Sequence, residues 1–89
     1  MIIINADTLC FVSDNGESTV CDILFSYVTE RGKIIVYTDN SLDREGFIQA
    51  YAGIYNPSFD ANRLLPITNP KDWDTIELLL EALTSKNNE

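Results

Sequence analysis

The sequence predicts an α+β domain in which an antiparallel meander sheet of four or five strands carries one C-terminal helix packed on one face. The chain has 89 residues, the usual size of a single domain. Runs rich in β-branched and aromatic residues alternate with turn signals, a pattern typical of hairpin-connected strands. Apolar residues at helical spacing follow near the C terminus. We therefore treat residues 1–89 as one domain, with 1–7 as a candidate extra N-terminal strand and 85–89 as a frayed tail.

The first two strands are predicted to form a hairpin. Asp14-Asn15-Gly16 is a strong hairpin signal, and the flanking strands are residues 8–13 and 19–29. If Asn15-Gly16 alone forms the turn, Cys10 lies directly opposite Cys21. If Asp14 joins the loop, the register shifts by one residue and the two thiols face opposite sides of the sheet. In either register we expect reduced thiols without a redox role.

Further strands are predicted after the turn at Glu30-Arg31-Gly32. They cover residues 33–38, 47–55 and 64–67, the last being a short fifth strand or an edge segment. Side chains along residues 47–55 are expected to alternate between the two faces of the sheet. Ala50 and Ala52 then share one face, and their small size predicts that the helix packs close to it.

A helix is predicted over residues 70–84. Asn69 can cap its N terminus, Pro70 suits its first position, and Asp72 complements the helix dipole. Apolar residues recur at helical spacing along it, namely Trp73, Ile76, Leu79, Leu80 and Leu83. We expect this stripe to cover the core and Trp73 to be mostly buried.

The strongly acidic composition limits the partners that the chain can attract. Fourteen acidic and six basic residues give a formal charge of −8 and a pI of about 4.2. Such a charge repels phosphate backbones and anionic lipids, so we expect a basic protein partner and no direct binding of nucleic acid or membranes. No apolar stretch approaches the roughly 20 residues of a membrane span, and no signal peptide is recognisable. We therefore expect a cytoplasmic protein.

The residue types of common catalytic sites are missing or misplaced. The chain has no histidine, which removes the Ser/His and Cys/His nucleophile pairs, and its glycines form no phosphate-binding motif. Asp39, Ser41 and Asp43 match the first ligand positions of a calcium loop. Arg44 then stands where that loop needs glycine, and Ala50 stands where it needs glutamate. We therefore predict no catalytic residue, cofactor or metal site, and we expect the protein not to be an enzyme.

Two sets of residues are candidates for partner binding. Asp74, Glu77 and Glu81 lie at helical spacings of three and four residues, which would form one acidic row on the helix. Tyr51 and Tyr55 are candidates because one helix covers only one face of the sheet. The favoured function is a non-catalytic protein-interaction or regulatory module. The alternatives are a nucleic-acid mimic that inhibits a DNA- or RNA-binding protein, and an enzyme with an unrecognised carboxylate site.

Residues 8–83 also resemble a known bacterial family. The matching features, in chain order, are the Asp-Asn-Gly turn, Ile23-Leu24-Phe25-Ser26-Tyr27, Ile35-Val36-Tyr37, Ala52-Gly53-Ile54-Tyr55-Asn56, Leu64-Leu65-Pro66-Ile67 and Asp72-Trp73-Asp74. In this order they are similar to the short acidic proteins called DUF1292 or UPF0473, from which residues 1–6 depart. The resemblance supports the predicted fold. It implies no activity, cofactor or catalytic residue, because the family has none assigned.

Overall fold

The computed structural model describes the backbone of residues 1–87 and the side chains of residues 1–83. Six strands and one helix follow one another along the chain: β1 (Ile2–Ile4), β2 (Thr8–Val12), β3 (Ser18–Thr29), β4 (Gly32–Thr38), β5 (Tyr51–Asn56), β6 (Asp60–Leu65) and α1 (Pro70–Asn87). The strands form one antiparallel sheet in the order β1-β2-β3-β4-β5-β6. The expected meander and C-terminal helix are therefore present.

The expected number of four or five strands is wrong, because the N-terminal segment adds a sixth. Strand β1 pairs with β2 from Ile2↔Phe11 to Ile4↔Leu9. The Met1 ammonium group donates to the Val12 carbonyl at 2.9 Å, and the Val12 N–H donates back to the Met1 carbonyl. Ile2 is buried, so the free energy of apolar burial holds this short strand at the sheet edge.

Strand β4 is buried on both faces, which divides the core into two parts. Ile34 and Val36 belong to the helix-side core, whereas Ile35, between them, belongs to the inner core on the opposite face. The buried members of the helix-side core are Ile34, Val36, Ile54, Ile67 and Ile76, and those of the inner core are Ile2, Leu9, Cys21 and Ile35. The sheet curls around the inner core until β1 and β6 approach each other.

The first hairpin has the longer of the two loops that the sequence allows. Ser13 and Glu17 close a loop of three residues, in which the Ser13 carbonyl accepts the Gly16 N–H at 3.0 Å. Gly16 has a φ of 86°, a left-handed conformation that glycine adopts without strain. Cys10 consequently pairs with Val20 and Cys21 pairs with Leu9. The two thiols face opposite sides of the sheet, and both are free.

The single strand expected over residues 47–55 is wrong, because its first part folds back on the preceding loop. One carboxylate oxygen of Asp43 accepts the N–H groups of Glu45 and Phe47 at 2.9 and 3.0 Å. This local turn pairs Leu42 with Ile48, so residues 41–49 form a small ribbon of their own. Strand β5 then begins at Tyr51, and the half-buried Ala52 packs against the helix-side core as expected.

Helix α1 rests on the sheet through Ile76, which is buried, and Leu80, which is half-buried. The expectation that Trp73 is mostly buried is wrong: its side chain is 42% exposed. Trp73 lies at the margin of the apolar stripe, where its indole N–H reaches the Ile67 carbonyl at 2.9 Å. Asp72 forms an ion pair with Arg31. The helix continues past the expected end at residue 84, and residues 88–89 of the expected frayed tail lie outside the described residues.

Replacing Gly53 tests the packing of β5 against β6. A Cβ atom at Gly53 would lie 2.6 Å from the Leu64 Cβ, much closer than carbon atoms pack. Gly53→Ala should therefore lower the free energy of unfolding by about 1–3 kcal/mol in denaturant melts. In a Leu64→Gly background the same substitution should be less destabilising. An equal loss in both backgrounds would contradict the assigned contact.

Candidate functional site

Side chains from four strands line a cleft of about 300 Å³ on the inner side of the sheet. This aromatic cleft is lined by Phe11 (β2), Thr19 and Cys21 (β3), Tyr37 and Asp39 (β4 and the residue after it) and Tyr51 (β5). The register explains why they meet, because directly opposed residues in an antiparallel sheet point to the same face. Phe11 pairs with Thr19, and Tyr37 pairs with both Ile23 and Tyr51.

The walls of the aromatic cleft are three neighbouring rings. The ring centroids of Phe11 and Tyr37 are 5.6 Å apart, and those of Tyr37 and Tyr51 are 5.8 Å apart. Both pairs are tilted, at 53° and 33°, within the range of favourable aromatic contacts. Thr19 and Cys21 occupy the strand between those that carry Phe11 and Tyr37. Their short side chains leave open the space that larger residues would fill.

Asp39 adds a negative charge to the aromatic cleft. One of its carboxylate oxygens accepts the Ser41 N–H at 3.0 Å. Hydrogen bonds from the Ser41 side chain and backbone lower the pKa of the Asp39 carboxyl below its ordinary value. Asp39 therefore remains ionised at neutral pH. In the part of the chain whose side chains are described, it forms no ion pair.

Among the described side chains that line the cleft, the Cys21 thiol and the Tyr37 hydroxyl are not activated as nucleophiles. Cys21 is 3% exposed, and its burial, followed by the nearby charges of Asp39 and Asp22, raises the pKa of its thiol. Burial likewise raises the pKa of the Tyr37 hydroxyl. Both groups therefore stay protonated at neutral pH, where a thiol or phenol is a poor nucleophile.

A second groove, of about 310 Å³, lies between α1 and the start of β5. It is lined by Val36, Tyr37, Ala50, Tyr51, Ala52, Trp73, Ile76 and Leu80. Tyr37 and Tyr51 border both this groove and the aromatic cleft. Trp73 therefore borders the same groove as Tyr51, one of the residues selected from the sequence.

The residues that were selected from the sequence lie in different parts of the structure. Asp74, Glu77 and Glu81 are all exposed and, with Leu78, line a shallow depression of about 300 Å³ on α1. Tyr51 lies in the aromatic cleft, but Tyr55 packs against the inner core and is only half-exposed. The acidic row and Tyr51 are therefore surface features on different elements, whereas Tyr55 is mainly a packing residue.

Phe11, Tyr37 and Asp39 were not recognised as a group from the sequence. Asp39 was considered only as a calcium ligand, yet Asp39 and Asp43 both accept backbone N–H groups in turns. Among the side chains of residues 1–83, no three metal-ligating groups gather into a site. The signal that was missed is a contrast between neighbouring strands: β2 and β4 carry the rings of Phe11 and Tyr37, whereas β3 between them carries the short side chains of Thr19 and Cys21. It becomes visible only once the hairpin register is known.

Over the same described stretch, α1 is too polar to be a candidate membrane-spanning helix.

Comparison with known proteins finds relatives that cover most of the chain. A UPF0473 protein of Lactiplantibacillus plantarum is 35% identical over 81 residues, which are 85% of this chain and 81% of the relative. A UPF0473 protein of Limosilactobacillus reuteri is 30% identical over 86 residues, 88% of this chain and 84% of the relative. The UPF0473 protein YrzB of Bacillus subtilis is 29% identical over 86 residues, 91% of each chain. These names describe no activity.

No protein-family model and no solved structure matches the chain.

The two cysteines should differ in their reaction with a small thiol reagent. A Cys10→Ser variant retains only the buried Cys21, whose raised pKa also reduces the thiolate fraction at neutral pH. Its labelling should be about 100-fold slower in the folded protein than in denaturant, and should accelerate as the pH rises. The matched Cys21→Ser variant, which retains the half-buried Cys10, should react faster when folded. Equal folded and unfolded rates for Cys21 would contradict its position in the inner core.

Proposed function

The chain belongs to the UPF0473 family, and from this premise we propose that it is a non-catalytic protein-interaction module whose partner is a basic protein. The observation that carries the proposal is the exposed acidic row of α1. Asp74, Glu77 and Glu81 occupy successive turns of the helix and are all exposed. In the part of the chain whose side chains are described, none of them forms an ion pair. Because the row is exposed, it can meet positive charges on a partner.

An apolar side chain beside the row supports a protein as the partner. Leu78 is 67% exposed and lines the same depression as the three acids. Interfaces between proteins combine apolar contacts with polar and charged groups around them. A basic protein segment that carries an apolar side chain would match both the charges and Leu78.

The charge row has a cost that binding would offset. Like charges three or four residues apart on a helix destabilise it by about 0.2–0.5 kcal/mol per pair. The formal charge of −8 on the whole chain adds a long-range attraction for basic proteins, which raises association rates and weakens with salt. The repulsion within the row and the attraction for basic proteins both favour a role of these acids in association rather than in stability.

The two alternative functions have less support. A general acid needs a carboxyl group with a raised pKa, whereas hydrogen bonds shift the pKa of Asp39 downward. A nucleic-acid mimic needs two parallel acidic rows on one rigid face. Among the described side chains, α1 presents one such row, formed by Asp74, Glu77 and Glu81.

Charge reversal on α1 tests the proposal. At low salt, the unaltered chain should capture a basic protein from bacterial lysate. The variant Glu77→Lys/Glu81→Lys should capture at least about 10-fold less of that protein. The captured protein should also elute when salt is raised. The free energy of unfolding should change by less than about 0.5 kcal/mol, because both positions are exposed.

A matched control separates the α1 row from net charge. Asp14→Lys/Glu17→Lys makes the same change of charge in the exposed loop of the first hairpin. This control should retain most of the binding. If both double variants lose binding equally, net charge alone governs capture. If the α1 variant binds as the unaltered chain does, the row is not the binding surface.

A further inference from the structure

We propose that the aromatic cleft binds the guanidinium group of an arginine side chain. The existence of a basic partner that presents this arginine rests on the proposed function. The chemistry of the cleft is independent of the α1 row, however, and can be measured without the partner.

The three rings provide the first reason for a cationic ligand. Aromatic faces carry partial negative charge and attract a cation that lies within about 6 Å of the ring centroid. The centroid of Tyr37 lies 5.6 and 5.8 Å from those of Phe11 and Tyr51. A planar cation in the cleft can therefore contact more than one ring. Tyr51 is 40% exposed, so part of this surface is accessible from solution.

The Asp39 carboxylate provides the second reason. It remains ionised because hydrogen bonds from the Ser41 side chain and backbone lower its pKa, and these bonds occupy only part of its accepting capacity. A carboxylate has about four acceptor positions and can accept two N–H groups from one guanidinium. The described residues that line the cleft include no basic side chain. The negative charge beside the rings is therefore available to an incoming cation.

The shape and composition of the cleft favour arginine over other cations. A volume of about 300 Å³ suits a guanidinium with part of its aliphatic stem, and the exposed Thr19 can accept a further hydrogen bond. Guanidinium is planar, stacks on rings and is less strongly hydrated than the lysine ammonium group. A calcium ion needs six to eight oxygen ligands, many more than Asp39 and Thr19 supply.

Titration with two nearly isosteric ligands tests the proposal on the full-length protein. The probes are Nα-acetyl-arginine amide and the neutral Nα-acetyl-citrulline amide, followed by amide chemical shifts in two-dimensional NMR spectra. The arginine derivative should shift resonances of cleft residues and bind at least about fivefold more tightly than the citrulline derivative. It should also bind more tightly than Nα-acetyl-lysine amide.

Variants then assign the binding to the cleft. Asp39→Asn preserves the acceptor for the Ser41 N–H but removes the charge, and should weaken arginine binding about fivefold without unfolding the protein. Tyr51→Leu should weaken it by removing one exposed ring. The control Glu77→Gln/Glu81→Gln should leave arginine binding unchanged, because these acids lie on α1 outside the cleft.

Each remaining outcome would overturn the proposal. Equal binding of arginine and citrulline would identify an apolar pocket, and equal binding of arginine and lysine would exclude a guanidinium-specific site. Chemical-shift changes confined to α1, or no changes at high ligand concentration, would also refute arginine binding at the cleft. A failure of the α1 charge reversal with intact arginine binding would instead refute the proposed role of the acidic row. The two proposals can therefore fail separately.

Discussion

The burial of β4 on both faces is the constraint on which the rest of the structure depends. Ile34, Ile35 and Val36 are consecutive and all buried, although successive side chains of a strand point to opposite faces. Both faces of the sheet must therefore be covered at this strand. Helix α1 covers one face through Ile76, and the curl of the sheet covers the other by bringing β1 and β6 together. Full burial of one such side chain stabilises by about 1.5–3 kcal/mol.

The two ways of covering β4 leave different surfaces behind. A helix buries one stripe, so the opposite side of α1 keeps Asp74, Glu77 and Glu81 in solvent. The ion pair of Arg31 with Asp72 adds little to the docking of α1, because an exposed pair contributes at most about 1 kcal/mol. On the other face, the short side chains of β3 stop the inner core from filling completely. The aromatic cleft is therefore a consequence of how the sheet closes.

Local signals in the sequence were sufficient to predict the order of strands and helix along the chain. The Asp14-Asn15-Gly16 turn and the Asn69-Pro70 helix start act within a few residues, so both appear where they were expected. Features that depend on contacts between distant elements were not predictable in the same way. The sixth strand, which the sequence offered only as a candidate over residues 1–7, depends on burial of Ile2, and the exposure of Trp73 depends on which side of α1 faces the sheet.

The candidate site was predictable only in part for the same reason. The acidic row follows from helical spacing alone, and Tyr51 was selected because one helix covers only one face of the predicted sheet. The cleft also requires Phe11 and Tyr37 to come together across β3, and that contact depends on the hairpin register. The sequence allowed two registers, and the loop that includes Asp14 places Cys21 rather than Cys10 on the cleft side.

Methyl–methyl nuclear Overhauser effects from the two adjacent isoleucines of β4 test the two-sided core most directly. The methyl groups of Ile34 should show cross-peaks to residues of the helix-side core, including Ile76, whereas those of Ile35 should show cross-peaks to Ile2 or Leu9 in the inner core. Cross-peaks from Ile35 to neither of these residues, or from both isoleucines to the same set of side chains, would contradict a sheet that is covered on both faces at β4.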